Sequence, residues 1–294
     1  MNEASLARYD DRYFTVRDGL KLHYRDYPGS SDRPPILCLP GLTRNARDFA
    51  DFAERYSPRF RVLAIDFRGR GASDYDPIPA RYIPPTYAHD VIEMLDQLGI
   101  PQAVFVGTSL GGLVTMLMAV MAPQRIAAAI LNDIGPEITE AGVDRIKSYV
   151  GQGQRFTSWD EAAETIATNN AHAFDNYTHA DWVRLAKQHC REDNGAIVFD
   201  YDAAITQPFN AAPANPQFDM WPLFTALAQK PLLVVRGAKS DLLSRGALER
   251  MHAAAPSLRS VVVPGVGHAP DLNEPEAVAA LDAFLGEVER APTP

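Results

Sequence analysis

Ser109 lies at the centre of the sequence Gly-Thr-Ser-Leu-Gly (residues 107–111), which matches the pattern G-x-S-x-G and is followed by Gly112. An apolar run typical of a buried strand precedes the pattern, and an apolar run typical of a helix follows it. Glycines are needed beside the serine because the turn between strand and helix is strained and crowded. The turn holds the hydroxyl at a helix N-terminus, where developing negative charge is favoured. Ser109 is therefore the candidate nucleophile.

His268 is the candidate base for this serine. A serine hydroxyl is a weak nucleophile at neutral pH and needs a base beside it. His268 lies in Pro-Gly-Val-Gly-His-Ala-Pro (residues 264–270), a glycine-rich loop directly after the last predicted strand. The other histidines fall in strand or helix patterns, where we expect a surface or structural role: His23, His89, His172, His179, His189 and His252.

Asp241 is the predicted third member of the site, the carboxylate that orients the imidazole and stabilises the imidazolium. It follows the predicted strand at residues 232–236, on a loop at a strand end. Aspartate in that place could also cap the helix that begins near Ser244. Asp133 is the alternative, since it too follows a predicted strand, at residues 127–131.

The order Ser109, Asp241, His268, with the strand–turn–helix context of the serine, resembles the α/β-hydrolase fold superfamily over nearly the whole chain. The resemblance implies an α/β fold in which a mostly parallel central sheet of about eight strands is flanked by helices and carries an inserted helical cap. It also implies a serine hydrolase that forms an acyl-enzyme intermediate and needs no metal or organic cofactor.

Two further segments resemble the family. Leu-Pro-Gly-Leu (residues 39–42) is similar to the loop after the third strand, although Pro40 replaces the usual histidine. By that match, the backbone N–H groups of Leu42 and Leu110 form the oxyanion hole. Residues 66–74 are similar to the family segment D-x-R-G-x-G-x-S. We expect them to tie loops together rather than to take part in catalysis.

The elements that must position these residues alternate along the chain. Residues 12–16 and 20–27, joined by Asp18-Gly19, predict an antiparallel hairpin. Continuous apolar runs that alternate with helical patterns then indicate a parallel sheet covered on both faces. The predicted strands of that sheet are residues 35–39, 60–65, 103–106, 127–131, 232–235 and 260–263.

The alternation stops at residues 137–229, where the pattern predicts helices near 143–151, 159–173 and 179–190, then a Pro/Asn-rich loop at 208–216, and no strand. We therefore predict a core domain formed by residues 1–136 and 230–294 and a cap domain formed by residues 137–229. The cap holds all three tryptophans, with 13 acidic and 6 basic residues. Its aromatic side chains either anchor a solvated helical face or line a pocket.

The composition excludes several other classes of protein. A net charge of −9 over 294 residues is unlike the basic surface of a nucleic-acid-binding protein. Residues 97–124 are uncharged, but glycine and proline interrupt them, so we expect a buried strand and helix rather than a membrane span. With no signal-peptide pattern and only two cysteines, we expect a cytoplasmic protein that acts on a small molecule. The sequence assigns no oligomeric state.

Serine at the strained turn narrows the function, because dehalogenases and epoxide hydrolases of this superfamily use aspartate there. We expect hydrolysis of a small to medium carboxylic ester or lactone. Hydrolysis of a C–C bond in products of aromatic ring meta-cleavage is the alternative, although an acidic cap disfavours such anionic substrates. A non-catalytic protein that uses the fold to bind a ligand is the alternative from another class.

Overall fold

The computed structural model describes residues 9–170, 173–211 and 219–290 of the chain, and its strands form two sheets. In chain order, the strands are β1 (Asp10–Thr15), β2 (Lys21–Tyr27), β3 (Ile36–Leu39), β4 (Val62–Ile65), β5 (Ala103–Thr108), β6 (Ile126–Asn132), β7 (Arg155–Phe156), β8 (Cys190–Asp193), β9 (Ala196–Phe199), β10 (Leu232–Gly237) and β11 (Arg259–Val263).

Ten α-helices lie in the same described ranges. They are α1 (Ala50–Tyr56), α2 (Pro84–Gln97), α3 (Leu110–Met121), α4 (Glu140–Tyr149), α5 (Trp159–Asn170), α6 (His179–His189), α7 (Thr206–Ala211), α8 (Trp221–Leu227), α9 (Arg245–Ala254) and α10 (Pro275–Arg290). Short 3₁₀ helices cover Ala46–Phe49, Pro79–Arg81, Pro123–Arg125 and Ala203–Ile205.

The larger sheet has eight strands in the order β1-β2-β4-β3-β5-β6-β10-β11. The pairings of β2 with β1 and with β4 are antiparallel, and the other pairings are parallel. Apolar side chains of α2, α3, α8 and α9 pack on one face, and those of α1 and α10 on the other. The predicted hairpin and the predicted α/β architecture are thus confirmed. The parallel strands also bring the loops after β3, β5, β6, β10 and β11 to one edge of the sheet.

The uncharged run at residues 97–124 forms the buried strand β5 and the helix α3, as predicted. In the parts of the chain that the structure describes, no helix is both long and apolar enough to cross a membrane.

The segment 137–229 contains strands, so the expectation of helices alone was wrong. β7, β9 and β8 form a small antiparallel sheet. These strands are two to four residues long, too short to show the alternation by which strands are recognised in a sequence. The predicted loop at 208–216 overlaps the end of α7, and its residues 212–216 lie outside the described ranges.

Two kinds of packing divide the segment 137–229. Side chains from β7, α5, α6, β8 and β9 form a hydrophobic cluster of their own, which includes Phe156, Ile166 and Trp182. In contrast, Leu223 and Phe224 of α8 belong to the main core. The division into a core domain and a cap domain of residues 137–229 remains a prediction. The packing of α8 places this helix with the core.

Candidate active site

Ser109 lies on the tight turn between β5 and α3, with φ 51° and ψ −114°. The glycines beside it are required by close backbone contacts. A Cβ on Gly107 would lie 2.5 Å from Gly111 O, and one on Gly111 would overlap Leu39 O. A Cβ on Gly112 would overlap the side chain of Ile134 on the next loop. Each glycine of the pattern G-x-S-x-G-G therefore stands where a side chain would clash with a neighbouring residue.

His268 lies on the loop after β11 and joins the serine to a buried carboxylate. Its Nε2 is 2.9 Å from Ser109 Oγ, and its Nδ1 is 2.8 Å from Asp133 Oδ2. The imidazole is 10% exposed and the Asp133 side chain 0%. The sequence-based pairing of Ser109 with His268 therefore corresponds to a direct contact, in which both ring nitrogens have a partner.

Asp133 follows β6 directly and adopts the left-handed backbone conformation, with φ 55°. Its Oδ1 accepts a hydrogen bond from the Gly237 backbone at 2.8 Å, and its Oδ2 accepts one from Ser240 Oγ at 2.5 Å. Together with His268, three donors surround this carboxylate. These hydrogen bonds satisfy the buried carboxylate and fix its position against the imidazole.

Asp241 is not the carboxylate at His268 Nδ1, and the predicted third member is corrected to Asp133. Arg145 donates to the Asp241 carboxylate through Nε and Nη2, with Nη2 2.9 Å from Oδ1. Burial raises the pKa of Asp241, but the hydrogen bond and charge of Arg145 outweigh it, and the net pKa is lowered.

The sequence pointed to Asp241 rather than Asp133 because the two aspartates follow adjacent strands. β6 and β10 are neighbours, so the residues after both strands reach the same edge of the sheet. The positive φ of Asp133 directs its carboxylate to His268. The loop after β10 sends Ser240, not Asp241, to that carboxylate. Strand order alone could not distinguish the two aspartates.

The N–H groups of Leu42 and Leu110 are available as donors beside the serine. Leu110 is the first residue of α3. Within the described ranges neither N–H donates a hydrogen bond. A Cβ placed on Gly41 would lie 3.8 Å from Ser109 Cβ, so the loop that carries Leu42 passes next to the nucleophile. Their assignment to an oxyanion hole remains a prediction.

The segment 66–74 has the structural role that its pattern predicts. Asp66 accepts hydrogen bonds from the backbone N–H groups of Ala46 and Ala72 at 2.5 and 2.9 Å. The guanidinium of Arg70, which is 0% exposed, donates to Leu42 O at 2.9 Å. This segment therefore fixes the loop that presents the Leu42 N–H. A further ion-pair network joins Arg68 to Asp18, Asp76 and Asp90.

A cleft opens above Ser109 and His268, and the tryptophans do not line it. Trp182 packs in the hydrophobic cluster of the segment 137–229, with Trp159 against it, and Trp221 packs against the main core. Among the described residues, the aromatic side chains that line the cleft are Phe49 and Tyr149. The tryptophans are thus packing anchors. Of the predicted structural histidines, His172 lies outside the described residues.

Comparisons with known proteins agree with this fold. The family described as alpha/beta hydrolase fold matches residues 34–275. The 3-hydroxybutyrate-oligomer hydrolase of Cupriavidus necator is 31% identical over 273 residues, which is 90% of this chain and 92% of the relative. The 2-(acetamidomethylene)succinate hydrolase of Mesorhizobium japonicum is 29% identical over 257 residues, 86% of this chain and 88% of the relative. The crystal structure of an alpha/beta hydrolase from Novosphingobium aromaticivorans superimposes with a TM-score of 0.91 at 49% identity, covering 96% of this chain and 99% of that one.

Proposed function

The chain belongs to the alpha/beta hydrolase fold family and is a hydrolase, and from this premise we propose that it cleaves carboxylic esters or lactones with Ser109, His268 and Asp133. One observation carries the proposal: the unbroken contact from Ser109 Oγ to His268 Nε2 and from His268 Nδ1 to Asp133 Oδ2, at 2.9 and 2.8 Å. A nucleophile, a base within hydrogen-bond distance and a group that orients the base are what acyl transfer requires.

The first half of the proposed reaction forms an acyl-enzyme. Ser109 Oγ attacks the carbonyl carbon while His268 Nε2 takes the serine proton, and Asp133 stabilises the imidazolium. The negative charge that develops on the carbonyl oxygen is held by the N–H groups of Leu42 and Leu110. Collapse of the tetrahedral intermediate breaks the ester C–O bond, and the imidazolium gives its proton to the departing alkoxide.

The second half of the reaction releases the acid. A water molecule gives a proton to His268 and attacks the acyl-enzyme, and the same backbone donors hold the second tetrahedral intermediate. The serine then leaves with the proton from the imidazolium. The carboxylic acid dissociates, and the enzyme returns to its starting state.

Esters are the expected substrate class, rather than C–C bonds. The relative from Cupriavidus necator is named for 3-hydroxybutyrate oligomers, which are linear esters. We expect kcat/KM to be higher for p-nitrophenyl esters, lactones or a 3-hydroxybutyrate dimer than for a ring-cleavage dienoate, when all are measured at one pH. A higher value for the dienoate would instead assign C–C hydrolysis. Tight binding without turnover of any substrate would assign a non-catalytic role.

The rate should also depend on the protonation of His268. A protonated imidazole cannot accept the serine proton, because both of its ring nitrogens already carry a proton. We therefore expect kcat/KM for a neutral ester to be lower at pH 5 than at pH 8, while circular dichroism shows an intact fold at both. A rate that stays flat from pH 8 to 5 would contradict His268 as the base.

A further inference from the structure

Arg44 lies in the cleft two residues after Leu42, on the loop that passes the nucleophile. A Cβ placed on Gly41 would lie 3.3 Å from Arg44 Cγ and 3.8 Å from Ser109 Cβ. The stem of the arginine therefore leaves the backbone close to the serine. Its side chain is 31% exposed, so the charge is accessible to a molecule in the cleft.

The guanidinium of Arg44 is hydrogen-bonded through Nε and not through its two terminal nitrogens, as far as the described residues show. Nε donates to Asp48 Oδ2 at 2.6 Å, and Asp48 is fixed on the 3₁₀ helix Ala46–Phe49. Among the described residues, the two terminal nitrogens of Arg44 make no hydrogen bond. An arginine that served only to pair with Asp48 could donate to its carboxylate through Nε and a terminal nitrogen together. The open pair of terminal nitrogens matches the spacing of two carboxylate oxygens.

Arg44 also lines a second cavity next to the cleft, here called the inner cavity. Thr43, Arg44, Tyr149 and Asn170 line both spaces, so they form the wall where the cleft and the inner cavity meet. This wall offers a guanidinium, two hydroxyls and an amide. His189, which is 8% exposed, also lines the inner cavity, and its Nε2 has no hydrogen-bond partner among the described residues.

The other charged groups near this wall are already paired. Arg184 donates to Asp271 at 2.6 Å, and Arg47 to Asp200 at 2.7 Å. Burial lowers the pKa of His189, and the positive charges of Arg44, Arg47 and Arg184 lower it further, so this histidine stays neutral. Each of the three arginines is thus paired with one aspartate, so this region has no excess of negative charge although the segment 137–229 as a whole is acidic. The overall charge of the segment does not describe the charge of the pocket.

We propose that the terminal nitrogens of Arg44 bind a carboxylate of the substrate, and that the preferred esters carry a free carboxylate a short chain away from the scissile carbonyl. This inference rests on the proposed ester hydrolysis and names its substrate class. The carboxylate occupies the wall shared by the cleft and the inner cavity, where it also meets Thr43 and Tyr149. Because Arg44 leaves the backbone beside Gly41, binding there places the carbonyl next to Ser109.

Two matched pairs of esters test the proposal and locate the carboxylate. Mono-p-nitrophenyl adipate against p-nitrophenyl hexanoate places it on the acyl side. 3-(Butanoyloxy)butanoate against sec-butyl butanoate places it on the alcohol side. In at least one pair, we expect the acid to have the higher kcat/KM. In Arg44→Gln, the acid-to-neutral ratio of that pair should fall about 10- to 100-fold, the worth of a charge-assisted hydrogen bond.

Three variants distinguish carboxylate binding by Arg44 from a general effect of charge. Arg245→Gln removes the same charge from an exposed helix and should keep the ratio. Arg44→Gln leaves the Asp48 carboxylate without its partner, so Arg44→Gln/Asp48→Asn removes both charges. The ratio should stay low in this double variant, because the cation is missing; recovery would mean that Asp48 merely repels the acid, and would overturn the proposal. Arg44→Lys, which keeps the charge without the planar fork, should give an intermediate ratio.

The outcomes separate this inference from the proposed function. If esters are hydrolysed but the ratio is the same in wild type and Arg44→Gln, the carboxylate site is wrong and ester hydrolysis stands. If neither member of either pair is hydrolysed, ester hydrolysis itself fails. Should Arg44→Gln not fold, inhibition of neutral-ester hydrolysis by free adipate, compared between wild type and Arg44→Lys, decides the question: equal inhibition would overturn the proposal.

Discussion

Replacing Ser109 by Ala should lower kcat/KM for a p-nitrophenyl ester by about 10⁴- to 10⁶-fold, because the attacking oxygen is lost while the binding groups remain. Serine and alanine meet the same strain at φ 51°, so the turn should keep its geometry. The residual rate reflects only binding and the backbone donors. Initial rates of p-nitrophenol release, together with the melting temperature, measure both effects.

Ser260→Ala is the matched control. Ser260 Oγ lies 2.8 Å from His252 Nε2, so the chain has a second serine–histidine contact, but it is exposed. Among the described residues, no carboxylate is hydrogen-bonded to that imidazole. We expect this variant to keep the wild-type kcat/KM. If Ser109→Ala retained a tenth of the activity, or if Ser260→Ala lost as much, Ser109 would not be the nucleophile.

Asp133→Asn should lower kcat/KM by about 10³- to 10⁴-fold, whereas Asp241→Asn should cost about tenfold or less. An amide in place of Asp133 can donate to His268 Nδ1, which favours the wrong tautomer and leaves the imidazolium without a facing charge. Asp241 is paired with Arg145, and its interaction with His268 is one of charge. Kinetics of both variants with one neutral ester, at one pH, give the comparison.

For Asp133→Asn and Asp241→Asn, a loss of activity must be distinguished from a loss of stability. Asp133→Asn also weakens the hydrogen bonds from Gly237 and Ser240, and a hydrogen bond to a charged group is worth about 1.5–3 kcal/mol. Asp241→Asn weakens an ion pair of its own, so a loss of melting temperature is expected in both. Only the loss of rate in folded protein should differ. A larger loss in Asp241→Asn than in Asp133→Asn would return the role to Asp241.

The sequence could predict what depends on neighbours in the chain. The strand, the strained turn and the helix around Ser109 are contiguous, and the glycines that permit the turn are part of the same pattern. His268 stands out because it alone combines a glycine-flanked loop with the end of a strand. The eight-stranded sheet follows from long apolar runs, which is the strongest pattern in the chain.

The sequence could not predict features that depend on the orientation of a side chain or on contacts between distant residues. Asp133 and Asp241 both follow strands that end at the same edge, and only the backbone conformation of Asp133 decides between them. The short strands β7, β8 and β9 carry too few residues for a pattern. Arg44 has no motif of its own. Its open guanidinium end becomes visible only when the positions of Asp48 and the inner cavity are known.

The most direct test of the serine mechanism is the mass of the protein after reaction with a fluorophosphonate. This reagent phosphonylates a serine only when a neighbouring base activates it and backbone donors hold its oxygen. We predict one added group, located by peptide mapping to Ser109, and no addition in Ser109→Ala. Unmodified wild-type protein, or a label that persists in Ser109→Ala, would contradict the serine mechanism.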